Sequence, residues 1–353
     1  MTLPVLGGDD AVPGQIPWQA YLTQTGCGAS ILDERHLLTA AHCVNDVRAT
    51  LGTQVTVGHV HFHGKNASKY LEDECTTQIR TIVRIQPHPC YCDRKSACAH
   101  ADLPVPAINA TVGQYDTAVI TVDQPFRFNK FVQPVCLPEA DEQIPPGTML
   151  LMSGFGHTEF DPINEIRTRP TNLQTAWLPR VGHADCAARM NGKLHAVRKE
   201  DMMCAGYLNG SQGGCSGDSG GPLVNIDSQV NRAVLIGSVS WGTETCVSYS
   251  VFANVVHVVD WIREEMRLSK MNVSGYPAEM SLTQFDNQLC YDYLVNRSLI
   301  APTKRPTTTT STTTTTTTTP KTASTASFLV PSRFYVSLTS VFMLILYIMN
   351  AQK

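Results

Sequence analysis

The chain has 353 residues, with 27 Lys and Arg against 30 Asp and Glu and a net charge of −3. That length allows one large or two modest domains with real cores. The near balance of charge, without any block of Lys or Arg, argues against a nucleic-acid partner. Twelve cysteines, with no pair of Cys-x-x-Cys motifs at zinc spacing, point to disulfides and an oxidising compartment. Asn-x-Ser/Thr acceptors at Asn66, Asn109, Asn209, Asn272 and Asn296 agree with a glycosylated, extracellular protein.

In chain order, Met1-Thr2-Leu3-Pro4 is too short to hold the apolar segment of a leader and reads as the remnant of one. From residue 5 to about 130, short apolar runs are separated by Gly, Pro, Asn and Asp. Ser30-Ile31-Leu32, Gln54-Val55-Thr56-Val57 and Ala118-Val119-Ile120 are such runs, and the texture is all-β. Residues 131–255 continue it, with Thr148-Met149-Leu150-Leu151-Met152 and Ala233-Val234-Leu235-Ile236-Gly237 as buried strands. Val255, Val258, Val259, Ile262 and Met266 recur at helical spacing and predict one helix over 255–268.

Residues 271–300 form a C-terminal extension that carries Cys290 and no legible motif. Threonine dominates 301–327, with Pro302, Pro306 and Pro320. Such a stretch has too little apolar surface to fold and reads as an extended, disordered stalk, O-glycosylated or a plain linker. Residues 328–353 form a hydrophobic anchor segment, whose apolar part, 334–349, is sixteen residues without a charge. That is short of the roughly 20 residues a membrane-crossing helix needs. Small residues at Ser324-Thr325-Ala326, a polar spacer and an apolar tail fit a GPI-anchor signal. The polar end Asn350-Ala351-Gln352-Lys353 keeps a transmembrane helix open as the alternative.

Chemistry concentrates in two segments. Gly217-Asp218-Ser219-Gly220-Gly221-Pro222 offers a serine, and Leu38-Thr39-Ala40-Ala41-His42-Cys43 offers a base. A serine hydroxyl is a weak nucleophile unless a base takes its proton, a third group holds that base, and donors await the oxyanion. Asp116, just before the run Thr117-Ala118-Val119-Ile120, is placed as an orienting carboxylate at a strand edge. His59, His61 and His63 alternate as ligands might on a strand, but no cysteine or carboxylate completes a metal set. They are read as solvated positions, and neither metal nor cofactor is expected.

The order His42, Asp116, Ser219 is that of one known triad class. With Val5-Leu6-Gly7-Gly8, Ile16-Pro17-Trp18-Gln19, Ser240-Trp241-Gly242 and Val259-Asp260-Trp261-Ile262, the chain resembles the chymotrypsin/trypsin family of serine endopeptidases from residue 5 to about 269. The resemblance implies an all-β fold of two six-stranded antiparallel β-barrels with a C-terminal helix, residues 5 to about 130 forming the first barrel and 131–255 the second, a catalytic domain over 5–270, and the triad between the barrels. Ser219 would be the nucleophile, His42 the base and Asp116 its orienter, with the amides of Gly217 and Ser219 as oxyanion hole. Asp218 would pair with the α-amino group of Val5 after an activating cut. Pro4, where a basic residue is usual, makes the chain zymogen-like as written from Met1.

By the same resemblance Gly213, Ser216, Ser240, Trp241, Gly242 and Ser250 bind substrate, Ser240-Trp241-Gly242 as the segment it pairs against and Gly242 and Ser250 as walls of the primary pocket. Gly213 stands at the base of that pocket where trypsin-like members carry Asp. An uncharged pocket favours large apolar or aromatic side chains, with an elastase-like preference for small ones as runner-up. Glu244 is placed at the rim. The family also implies disulfides Cys27–Cys43, Cys186–Cys204 and Cys215–Cys246. A further family bridge is missing at both ends, where Leu150 and Asn225 stand. Cys136–Cys290 is the expected tie between the domain and its extension. Cys75, Cys90, Cys92 and Cys98 are left without an assignment, and a long insertion separates His88-Pro89 from Asp116. The partners implied are protein or peptide substrates, protein protease inhibitors, and a membrane through the anchor. A catalytically silent binding module of the same fold, and a mucin-like adhesion protein, are the rival readings.

Overall fold

The computed structural model describes residues 8–45, 50–58, 77–92, 113–161, 166–190, 196–227 and 232–270. The chain begins with the two-residue strand β1 (Asp9–Asp10), followed by β2 (Gln19–Leu22), β3 (Cys27–Ile31), β4 (His36–Thr39), β5 (Gln54–Val57), β6 (Gln78–Pro87) and β7 (Ala118–Val122). Strands β2 to β7 close into an antiparallel barrel in the order β2-β3-β4-β7-β6-β5. The apolar runs do not alternate with polar residues because both faces of these strands are covered. Along β7, Ala118, Ile120 and Val122 point into the barrel with Leu22, Ile31, Leu37 and Val55. Val119, on the opposite face, joins Leu38, Trp18 and Trp261 in a cluster outside it.

The second half contains β8 (Met149–Gly154), β9 (Glu159–Asp161), β10 (Ile166–Thr168), β11 (Gln174–Val181), α1 (His183–Met190), β12 (Met202–Ala205), β13 (Pro222–Asp227), β14 (Arg232–Trp241), β15 (Ser250–Asn254) and α2 (Val255–Lys270). Six of the strands run β11-β12-β15-β14-β13-β8, and β8 pairs back to β11 to close a second barrel. The two barrels with their C-terminal helix are the architecture expected. The pairs Leu223↔Met152 and Val224↔Leu151 put Leu150 and Asn225 next in register, on neighbouring strands.

Two features differ from the expectation. The N-terminal segment does not belong to the first barrel: β1 pairs with β11, Asp9 opposite Thr175 and Asp10 opposite Gln174. Helix α1 was not expected, because eight residues offer only one apolar repeat. Cys186 and Met190, four apart, are its buried face.

Between the barrels, Trp18, Tyr21 and Leu38 meet Phe155, Leu173, Val224 and Leu235, with Val255, Val258, Trp261 and Ile262 of α2 in the same cluster. Leu38 is fully buried, and its truncation to Ala costs about 2–5 kcal/mol by lost transfer energy and cavity formation. Helix α2 leaves the second barrel and ends on the first. Glu265 takes Arg84 at 2.9 Å, Lys270 reaches Asp33 at 2.8 Å, and the Ser269 and Thr121 hydroxyls lie 3.2 Å apart. Arg267 and Lys270 in its last turn also suit the negative end of the helix dipole.

Candidate active site

His42 sits in the short 3-10 turn Ala41–Cys43 that follows β4. Asp116 lies two residues before β7, and β4 pairs with β7 so that Thr39 faces Ala118. That register brings the two side chains to one end of the barrel. The His42 Nδ1 and backbone N donate to the two Asp116 oxygens at 2.7 and 2.8 Å. The Ser240 hydroxyl, at the end of β14, donates to Oδ2 at 2.6 Å. Tyr115, next to Asp116, has φ of +49°, and its N–H is held at 2.6 Å by Asp201, which Arg198 holds in turn at 2.8 Å.

Asp116 is only 3% exposed, and burial alone would push its pKa up. The charge and hydrogen bond of His42 and the Ser240 hydroxyl outweigh that and bring it below the ordinary carboxylate value. Burial pulls the His42 ring down, and the neighbouring Asp116 charge raises it to a net value above ordinary histidine. The His42 side chain keeps 35% of its surface exposed, toward a cleft of about 510 Å³ that Ser219 also lines. No hydrogen bond joins Ser219 to His42 among the described residues.

The Ser219 loop is fixed from both barrels. Gly28 donates to the Ser219 carbonyl at 2.8 Å, and Gly220 donates to Val239 at 2.7 Å. Gly220 has φ of +78°, and a Cβ there would collide with the Thr39 hydroxyl and the Gly28 carbonyl. Gly217 has φ of +102°, a region glycine reaches without strain. The Ser216 carbonyl accepts from the His157 N–H at 2.9 Å and lies 2.6 Å from His157 Nδ1. In a trans peptide the N–H points opposite to the carbonyl, so His157 sets the direction of the Gly217 N–H. Neither that N–H nor the Ser219 N–H donates to a protein acceptor among the described residues. Two unspent donors thus flank the serine.

Asp218 is fully buried and accepts from Gly156 N at 2.7 Å and Cys215 N at 2.9 Å. A Cβ on either Gly154 or Gly156 would run into its carboxylate, which explains glycine at both places. Burial pushes its pKa up to about 6, against the pull of the two backbone donors and Arg169. Its expected partner, Val5, lies outside the described residues.

At the expected pocket base, the atoms nearest a Cβ on Gly213 would be Ser250 Oγ at 3.2 Å and the Ser248 carbonyl at 3.6 Å. Ser250 Oγ in turn accepts from Gly214 N at 2.8 Å. No charged side chain enters these contacts, and Glu244 is exposed. Gly242 has open space where a side chain would be. The Ser240 hydroxyl is spent on Asp116, a contact that its motif does not announce.

Cys27–Cys43, Cys186–Cys204 and Cys215–Cys246 are bonded, with Cα separations of 6.2, 6.1 and 5.3 Å. Cys27 and Cys43 lie close to His42, but their sulfurs are tied to each other and cannot serve as thiolate ligands. Cys90 and Cys92 are disulfide-bonded, while Cys75 and Cys98 lie outside the described residues. Cys136 is an exposed free thiol, and Cys290 lies outside them too, as do His59, His61 and His63. Of the glycosylation acceptors, Asn209 is exposed; Asn66, Asn109, Asn272 and Asn296 fall outside. Among the described residues no helix is long and apolar enough to cross a membrane.

The chain matches the trypsin family over residues 5–262, a stretch that contains His42, Asp116 and Ser219. It is 33% identical over 265 residues to Transmembrane protease serine 9 of Rattus norvegicus, covering 74% of this chain and 22% of that protein. The chain therefore spans about a fifth of that relative's length. With the two barrels, and with a match over most of its length, the chain belongs to the trypsin family.

Proposed function

We propose that the chain is a serine endopeptidase that hydrolyses protein substrates through an acyl-enzyme formed on Ser219. The chief support is the Asp116–His42 pair opening on the cleft that Ser219 lines. In this reading His42 takes the Ser219 proton as the hydroxyl attacks the scissile carbonyl. It returns that proton to the amine as the C–N bond breaks, and a water then releases the acyl group by the same route. Asp116 holds the tautomer and the charged imidazole. The N–H groups of Gly217 and Ser219 receive the oxyanion. Hydrogen bonds between nucleophile and base are often long in the resting enzyme and tighten with substrate.

The pocket reading rests on Gly213, whose neighbours are hydroxyl and carbonyl oxygens. A Lys or Arg side chain would be desolvated there without a carboxylate to meet it. Substrates with Phe, Tyr or Leu before the scissile bond are therefore expected to exceed those with Lys or Arg. Asp218, held up to about 6 by burial, would be met by the Val5 amine once the chain is cut ahead of Val5. Outside the cell, the stalk and anchor of residues 301–353 would hold the domain at the surface. Phosphatidylinositol-specific phospholipase C then releases the enzyme from cells, and retention of a Lys353 epitope in mature protein establishes a transmembrane helix instead.

A fluorophosphonate probe tests the central statement on protein cut to expose Val5. Labelling that disappears in Ser219→Ala supports it. Absence of labelling and hydrolysis in folded wild type favours a silent binding module.

A further inference from the structure

The cleft beside Ser219 is lined by Gln24, Thr25, Cys27, Asn45, Arg169 and Gly217 among others. None of the expected substrate-binding residues Gly213, Ser216, Ser240, Trp241, Gly242 and Ser250 borders it. A peptide whose acyl-side residue fills the primary pocket passes Ser219 in one direction. The chain beyond the scissile bond must then enter the cleft.

Among the described residues lining this cleft, Arg169 alone carries a permanent charge, and none is a carboxylate. It is half-buried and directly follows β10. Its Nη1 donates to the Phe155 carbonyl at 3.3 Å. Both Nη atoms lie 3.0 Å from where a Cβ on Gly217 would stand, and Nη2 lies 3.7 Å from the same point on Gly26. Glycines thus let the guanidinium lie against the nucleophile loop on one side and the wall of the first barrel on the other. Its charge is felt in the loop, where it lowers the pKa of Asp218. A guanidinium is permanently charged and matches carboxylate geometry.

Resting on the serine-endopeptidase reading, we infer that Arg169 selects substrates with Asp or Glu in the first two residues after the scissile bond. The charge standing in the cleft beside Gly217 carries this preference.

The test uses internally quenched peptides with one acyl half and Ala, Glu or Lys at each of the first two leaving-side positions. On active-site-titrated wild type, Glu peptides are expected to exceed Lys peptides by roughly five- to tenfold in kcat/KM, the size of a partly screened pair. The ratio shrinks at high salt, falls to near unity in Arg169→Gln and inverts in Arg169→Glu. Arg169→Lys keeps part of it, which separates a charge effect from a role in holding the loop. An unchanged ratio in Arg169→Gln, or labelled and active wild type without acid preference, overturns this inference alone. Should the Gln variant yield no active enzyme, a Lys variant that keeps none of the ratio, or a salt series that leaves it unchanged, overturns it equally. Wild type that neither labels nor hydrolyses removes the peptidase reading and this inference with it.

Discussion

Asp116 and Asp218 are buried almost equally, at 3% and 0% exposure, yet their surroundings move them in opposite directions. Asp116 receives two donors from His42 and one from Ser240 and falls below the ordinary value. Asp218 receives two backbone N–H groups and is pushed up to about 6. Burial is therefore a shared cost, and a charged neighbour with a hydrogen bond decides which carboxylate stays ionised. One site carries its partner within the barrel. Among the described residues, the other is answered by neutral donors and a more distant arginine.

The comparison breaks most severely in Asp116→Asn, which keeps the shape and removes the charge. We expect kcat to fall by about 10⁴, as in the worked serine-protease case, because the imidazole is then held in the wrong tautomer. Titrated steady-state kinetics check this, and a loss below tenfold would remove Asp116 from the proposed machinery. Ser240→Ala deletes one donor and should lower kcat roughly tenfold, the size of a hydrogen bond to a charged group. Thermal unfolding should come at a lower temperature as well, since a buried carboxylate oxygen then loses a donor.

Asp218 gives a stability signature instead. Its folded pKa of about 6 lies above the ordinary 3.8, so the folded state holds the proton more tightly. The contribution is present below the ordinary value and is lost as pH rises through about 6, by about 3 kcal/mol in all. Denaturant titrations between pH 4 and 7 should show that slope in the uncut wild type relative to Asp218→Asn. On protein cut ahead of Val5 the slope should flatten, since an amine stabilises the ionised form.

The smallest effect lies on the pH axis of activity. His42 must be neutral to act as the proposed base, and its pKa is raised. Activity should therefore be lost as pH falls through a value above the ordinary histidine 6.5. A limb at or below 6.5 in kcat/KM contradicts the Asp116 effect.

Much of the candidate site is marked by local motifs. His42 is singled out by Thr39-Ala40-Ala41 and Cys43, Ser219 by its glycines, and the helix by a sustained apolar repeat. What escaped depends on contacts made across long stretches of chain. Ser240 and Asp116 are 124 residues apart, and nothing beside Ser240 signals the bond. Gly154 and Gly156 did carry a signal, two glycines flanking one aromatic, but its meaning needs the Asp218 carboxylate that fills their space. Arg169 is one basic residue of 27 and belongs to no motif. Strand β1 is two residues long, below what any pattern resolves.

The two ends of the folded unit cross over. Strand β1 extends the second barrel's sheet from the N-terminal side, while α2 ends against the first barrel at Asp33, Arg84 and Thr121. Divide the chain in the connection near residue 140, and each half carries a piece that fits only the other. Neither half would be a self-sufficient domain, since one lacks the strand that borders β11 and the other lacks the helix that covers Val119 and Leu38. Produced together, the halves would recognise one another through these exchanged pieces. The cleft needs both fragments, since His42 comes from one and Ser219 from the other.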